Sequence, residues 1–243
     1  MELERIFGIR AIMEAIESDQ EIAKLYLLKD SDGVLFKKLD RLAKEKQIVT
    51  SYVPKEKIDH LGQGNHQGAV ATISPIKFVD LDSFLDANAD LNQQTYLLLD
   101  GITDVRNFGA IIRTAECTGV TAIVISEKSS APVNATTIKT SAGAAFNIPI
   151  CKVNHLKDAI YLMQAYEIQT IGANEKASQT IYDVQFKQKT AIVMGSEDRG
   201  INPSTQKLLD QTVKLPIRGA VKSLNVSVAC GVFLYEVLRR QIA

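Results

Sequence analysis

Between residues 96 and 216 the chain carries six short apolar runs, Tyr96–Leu99, Ala122–Ile125, Ile148–Cys151, Ile168–Ile171, Ala191–Met194 and Val213–Pro216, with helical patterns between most of them. No other feature constrains the fold as strongly. Uninterrupted apolar strands are buried on both faces, and strands joined through helices need crossover connections, so the pattern predicts a parallel sheet covered on both sides. Such α/β sheets take their ligands at the carboxyl ends of the strands.

The first 75 residues read differently. Helical spacing over Gly8–Ile16, an apolar run at Ile22–Leu28, an amphipathic helix over Val34–Lys46, and strands at Ile48–Val53 and Gly68–Ile73 predict a small α/β module. The Val34–Lys46 helix is expected to turn Leu35, Leu39 and Leu42 to one face and to carry Lys37, Lys38, Arg41 and Lys44 around the rest. That basic surface fits a solvated face and an RNA contact equally well. Residues 74–92 combine Pro75 with four aspartates, which reads as an acidic connection containing one short helix. The expected organisation is a module at 1–75, a linker at 76–91 and a larger domain at 92–243.

Composition removes several classes. No stretch approaches the roughly 18 to 20 apolar residues of a membrane helix, so no membrane partner is expected. The N-terminus lacks a basic region followed by an apolar run, and the three cysteines, Cys117, Cys151 and Cys230, are odd in number and far apart. Both observations predict a cytoplasmic protein without disulfides. Neither the cysteines nor His60, His66 and His155 have metal-ligand spacing, so no metal is expected. Formal charge sums to zero, which argues against nucleic-acid binding by bulk electrostatics alone. Residues 92–243 nevertheless hold 16 basic against 12 acidic side chains.

Three polar segments follow apolar strands. In the first, YLLLD runs into a turn and a helix beginning near Arg106, which places Asn107 and Gly109 at the sheet edge, with Arg113 further along the helix. In the second, the run at Ala191–Met194 ends in Gly195, where a ligand could approach the backbone closely, and Glu197 supplies a carboxylate just beyond. In the third, a glycine-containing loop leads to Ser223, Asn225 and Ser227 ahead of an apolar helix ending near Arg240, and either Ser223 or Asn225 could cap that helix.

Together the segments N-F-G-x-x-x-R-T (107–114), V-M-G-S-E-x-x-G-I (193–201) and L-P-I-x-G-x-x-x-S-L-N-V-S-V-A (215–229) resemble, in order and spacing, the three signature motifs of the SpoU, or TrmH-like, RNA 2′-O-ribose methyltransferases of the SPOUT superfamily. G-I-R-A-I-M-E-A-I (8–16) and H-Q-G-A-V-A (66–71) resemble the substrate-binding domain of the RlmB branch, whose members methylate a guanosine ribose in 23S ribosomal RNA.

The resemblance implies a C-terminal SPOUT domain with a deep trefoil knot and an L30e-like N-terminal module. It also implies a homodimer with S-adenosyl-L-methionine as cofactor. By the same resemblance Asn107, Arg113, Glu197, Ser223 and Asn225 form the catalytic shell, and Gly172, Gly195, Leu215, Ile217 and Leu224 lie where cofactor contacts fall. A transfer-RNA methyltransferase of the same family and a non-catalytic ribosomal-RNA-binding protein are the alternatives. A nicotinamide dehydrogenase fits less well, because Gly62, Gly64 and Gly68 are wrongly spaced for a dinucleotide fingerprint and precede a strand-like run.

Overall fold

The computed structural model describes residues 5–17, 20–62, 66–74, 76–221 and 223–242, so Gly64 lies outside the described residues. The chain divides into two compact units, Met1–Lys77 with Val133–Ala135, and Phe78–Pro132 with Thr136–Ala243.

The first unit contains β1 (Arg5–Phe7), α1 (Ile9–Glu17), β2 (Ile22–Leu28), α2 (Val34–Glu45), β3 (Thr50–Val53), α3 (Lys55–Leu61) and β4 (Ala69–Ile73). The sheet order is β1-β4-β2-β3, antiparallel except for the parallel β2–β3 pair. Its core joins Ile12 and Ile16 of α1 to Leu25 and Leu27 of β2 and to Leu39 of α2. The face of α2 differs from the expected one. Phe36, Leu39 and Ala43 are buried, Leu42 packs at the edge, and Leu35 is 41% exposed. Phe36 at i, with Leu39 at i+3 and Ala43 at i+7, forms the stripe that faces the sheet, and Leu35 falls one position off it.

The second unit begins with α4 (Leu81–Ala87), capped by Asp80 accepting from the Ser83 amide at 2.9 Å. Although its composition reads as linker, Leu81 and Leu85 are buried in the core of this unit. Then follow β5 (Gln94–Asp100), α5 (Val105–Cys117), β6 (Ala122–Ser126), α6 (Ala135–Thr140), β7 (Ile150–Val153), α7 (Leu156–Ala165), β8 (Gln169–Ala173), β9 (Lys189–Gly195), α8 (Pro203–Gln206), β10 (Gln211–Val213) and α9 (Val226–Ile242).

The six-stranded sheet runs β10-β8-β9-β5-β6-β7, and every pairing is parallel. Leu97, Leu98, Leu99, Ile192 and Val193 at its centre are fully buried. β10 starts and ends earlier than the apolar run at Val213–Pro216 predicts, because Lys214 pairs instead with Thr180 and Pro216 has no amide to donate. With all strands parallel, Asp100, Ser126, Ala173 and Gly195 end on one edge, where the chemistry collects. Among the described residues no helix is long and apolar enough to cross a membrane.

Candidate active site

Asn107 sits in the first turn of α5, which is started by Asp104. The Asp104 carboxylate accepts from the backbone N–H of Arg106 at 2.7 Å and of Asn107 at 2.9 Å. The amides of Asn107 and then Arg106 hold that carboxyl below the usual aspartate range. A cap of this kind was legible as T-D-V-R-N, an acceptor residue directly before a helix, yet the sequence reading did not single it out.

Asn225 is the N-cap of α9, which decides between it and Ser223. Its Oδ1 accepts from the Ser227 amide at 3.0 Å, the Ser227 hydroxyl at 2.6 Å and the Val228 amide at 3.4 Å. With the oxygen committed to the cap, the Asn225 Nδ2 must face away from the helix. It donates to Glu197 Oε1 at 2.7 Å and to Asn107 Oδ1 at 3.0 Å. Asn107 Nδ2 closes the ring by donating to the same Glu197 Oε1 at 3.0 Å. The Val226 amide reaches that oxygen as well, at 3.4 Å.

One carboxylate oxygen thus gathers donors from two segments far from its own in the chain, while among the described residues Oε2 has no partner. The cluster is a rigid polar bracket with an acceptor left over. Arg113 is not part of it: the side chain is exposed on α5 and makes no hydrogen bond or ion pair among the described residues.

A cleft of about 1000 Å³ opens beside the bracket, with Glu197 in its wall. Gly195, Leu215, Ile217, Ser223 and Leu224 all line it. Ile217 and Leu224 are 41% and 46% exposed, apolar surface offered to the cleft rather than packed away. Met194 and Ile201, both within the second motif, also line it, as do Lys176, Lys214 and Phe233, which were not anticipated. Nothing in their local pattern separates them from ordinary strand, loop and helix residues.

Gly195 lines the cleft and has a second duty in the fold, whereas Gly172 lies away from the cleft. A Cβ on Gly195 would stand 2.0 Å from both the Gly200 carbonyl carbon and the Ile201 nitrogen, so it is the protein's own turn that needs the close approach. That turn is held by Ser196 N to Gly200 O at 3.1 Å and Gly200 N to Ser196 O at 2.9 Å. Gly172 does not line the cleft; its neighbour Ala173 does. A Cβ on Gly172 would meet Leu209 at 2.5 Å, which makes it a packing glycine within the sheet.

No group of three or more His, Cys, Asp or Glu among the described residues is placed to hold a metal ion. A cleft that sets apolar side chains such as Ile217 and Leu224 beside charged ones such as Lys176 and Lys214, next to a bracketed carboxylate, suits an organic ligand with both apolar and polar parts.

An all-parallel sheet with a ligand cleft and a three-segment polar cluster at its carboxyl edge defines an α/β enzyme domain of the type that binds an organic cofactor at that edge. Residues 94–235 match the SpoU rRNA Methylase family, and residues 5–79 match the RNA 2′-O ribose methyltransferase substrate-binding domain. The chain belongs to the SpoU methyltransferase family.

Among its relatives, the 23S rRNA (guanosine-2′-O-)-methyltransferase RlmB of Vibrio cholerae is 34% identical over 245 residues, covering 100% of this chain and 99% of that protein. A TrmH-family tRNA/rRNA methyltransferase of Bacillus subtilis, YacO, described there as putative, is 32% identical over 237 residues, covering 97% and 95%. The fold is shared with the SpoU methyltransferase AviRb of Streptomyces viridochromogenes, solved in complex with AdoMet, at a TM-score of 0.63 and 22% identity over 99% of this chain and 91% of that one.

Proposed function

We propose that this protein transfers the methyl group of S-adenosyl-L-methionine to the 2′-hydroxyl of a guanosine in 23S ribosomal RNA. The observation that carries the reading is the bracket itself: Asn107, Glu197 and Asn225, one from each motif, meet through a single carboxylate oxygen at the mouth of the cleft. The cofactor, when bound, supplies an electrophilic methyl group. Leu215, Ile217 and Leu224 would cover its apolar parts, and the backbone near Gly195 would meet its polar ones.

The chain's own work is placement. A ribose oxygen must be aligned with the methyl carbon, and fixed geometry of this kind provides much of the rate of a two-substrate reaction. The free Oε2 of Glu197 and the Ser223 hydroxyl stand where they can orient the nucleotide, and Asn107 and Asn225 hold Glu197 in place. Arg113 offers a planar fork of N–H donors, so its role is to orient a nucleotide phosphate or to stabilise negative charge developing on the 2′-oxygen. The hydroxyl proton passes to solvent as the carbon–oxygen bond forms and the carbon–sulfur bond breaks.

Residues 1–75 are the RNA-reading module and 92–243 the catalytic domain, acting in the cytoplasm as a homodimer. The segment from Leu215 through α9 is threaded as the family's trefoil knot.

Equilibrium binding of radiolabelled S-adenosyl-L-methionine to the full chain is the first test, since a non-catalytic RNA-binding protein would not bind it. Mapping 2′-O-methyl positions in total RNA from cells with and without the gene is the second. Loss of one 23S guanosine mark is expected, and loss of a transfer-RNA mark alone would overturn the substrate.

A further inference from the structure

A second cavity, of about 420 Å³, lies on the same sheet edge beyond the ends of β5, β6 and β7. Asp100, Ser126, Asn154, His155, Lys128 and Lys157 are among the residues lining it, and it shares none of its lining with the cofactor cleft. The two share a wall. Along the segment 201–206, Ile201, Pro203 and Gln206 face the cleft, and Asn202, Ser204 and Thr205 face the second cavity. The wall is pinned to the end of β5 by the Asn202 amide, which donates to Asp100 Oδ2 at 2.9 Å.

What distinguishes this cavity is its unused hydrogen-bonding capacity. Asn154, His155, Lys128 and Lys157 are exposed, and their side chains make no hydrogen bond or ion pair among the described residues. The His155 side chain does not cap α7. Ser126 is only 7% exposed, and its hydroxyl pairs with that of Ser129 at 2.5 Å, an arrangement that uses one of the two hydroxyl protons and leaves the other to donate.

The lining is mixed in charge, since Asp100 and Asp158 balance the two lysines. A bare anion is therefore a poor occupant. A group with one anionic end and a flat face edged by donors and acceptors fits the set: ammonium groups for a phosphate, an imidazole to stack on a base, and an amide and a carboxylate for the base edge. The volume is in the range of a small-ligand site, which runs from roughly 300 to 1000 Å³.

We infer that this cavity holds a second nucleotide of the substrate RNA, splayed out of its strand and distinct from the nucleotide that is methylated. The inference rests on the reading of the protein as an RNA methyltransferase. Lys128 and Lys157 take the phosphate, and Asn154 and His155 take the base. Because the wall at 201–206 serves both cavities, filling one positions the strand across the other.

The test uses the full chain, the variant Lys128→Ala/Lys157→Ala and the variant Asn154→Ala/His155→Ala. All four side chains are exposed, so both proteins should fold. The parent and both variants are first assayed for S-adenosyl-L-methionine binding, which should be equal. Methylation of 23S RNA should then show KM for RNA raised about tenfold in either variant, with kcat unchanged at saturating RNA. The lysine variant should also flatten the salt dependence of RNA affinity by roughly 0.7 in the log–log slope for each phosphate it no longer neutralises, and the Asn154/His155 variant should not. An unchanged KM in both variants, with the parent active, overturns the inference and leaves the methyltransferase reading intact.

A parent that fails to bind the cofactor sinks that reading instead. In that event, or with a parent inactive on 23S RNA, calorimetric titration with guanosine 5′-monophosphate and with inorganic phosphate decides the cavity. Guanosine monophosphate binding that both variants lose supports a nucleotide site. Phosphate binding alone, or no loss in the variants, overturns it.

Discussion

The two edges of the large sheet use hydrogen bonds in opposite ways. At the amino edge, strand starts are locked by buried threonines with closed sets of partners. The Thr170 amide and hydroxyl donate to Asp210 Oδ2 at 2.7 and 2.9 Å, and the Asp210 amide donates back to the hydroxyl at 3.0 Å. The Thr190 hydroxyl donates to the Lys187 carbonyl at 2.9 Å, and Thr95 accepts from Gln241 at 3.0 Å. Thr170 and Thr190 are completely buried.

At the carboxyl edge, Glu197 and Asn225 are exposed, and among the described residues the Glu197 carboxylate keeps one oxygen unspent. A closed network stabilises the fold. An open one, held still on one side only, is prepared for something that arrives. Parallel strands impose this division, because loops that can vary gather at the carboxyl ends while the other edge has only to hold strands in register.

Substitutions can break the contrast. The largest effect is expected for Gly195→Ala, which sits on the open edge but acts like a core change. Its Cβ would overlap the backbone at Gly200 and Ile201, so stability should fall by about 3 kcal/mol and cofactor binding should be lost with it, as read by chemical denaturation and calorimetry. Glu197→Ala should do the reverse, reducing kcat on the order of 100-fold by freeing two asparagine amides, with the denaturation midpoint nearly unchanged. Equal losses of stability and turnover would erase the distinction between the edges.

Asp210→Ala, at the closed edge, should cost about 1–2 kcal/mol by stripping the acceptor from the Thr170 amide and hydroxyl, with kcat and KM preserved. Arg113→Lys should lower turnover if a forked guanidinium contacts the nucleotide, and near-normal activity would remove that role.

Asp104→Asn gives the smallest effect. The folded-state pKa of Asp104 is depressed by the Asn107 and Arg106 amides, so its contribution is present above the ordinary aspartate value and is lost as pH falls through the lowered one. The parent's melting temperature should therefore drop slightly more between pH 7 and strongly acidic conditions than the variant's does.

The strands were legible because a strand buried on both faces leaves a dense apolar signature, as at YLLLD and AIVMG. The motif residues were legible as well, but their assembly was not. Asn107 and Glu197 are 90 positions apart and Asn107 and Asn225 are 118 apart, so no local pattern records that they share one oxygen. Gly195 illustrates a second limit. Its need for space was readable, but what fills the space is the turn closed between Ser196 and Gly200, visible only in three dimensions. The connection at 76–91 illustrates a third, since four aspartates masked the Leu81/Leu85 pair that anchors α4 in the core.

The strand order also sets a timetable. The central strand β5 lies against β9, with Gln94 registered opposite Lys189, so during synthesis it waits for nearly a hundred residues before that neighbour exists. Contacts of such long range fold slowly, because the entropy of closing the loop is lost before the pairing returns anything. A newly made chain should therefore pass through a period in which β5 and β6 are formed and their open edge is unprotected. During that period the bare edge of β5, rather than the cofactor cleft, is the surface most open to misplaced pairing.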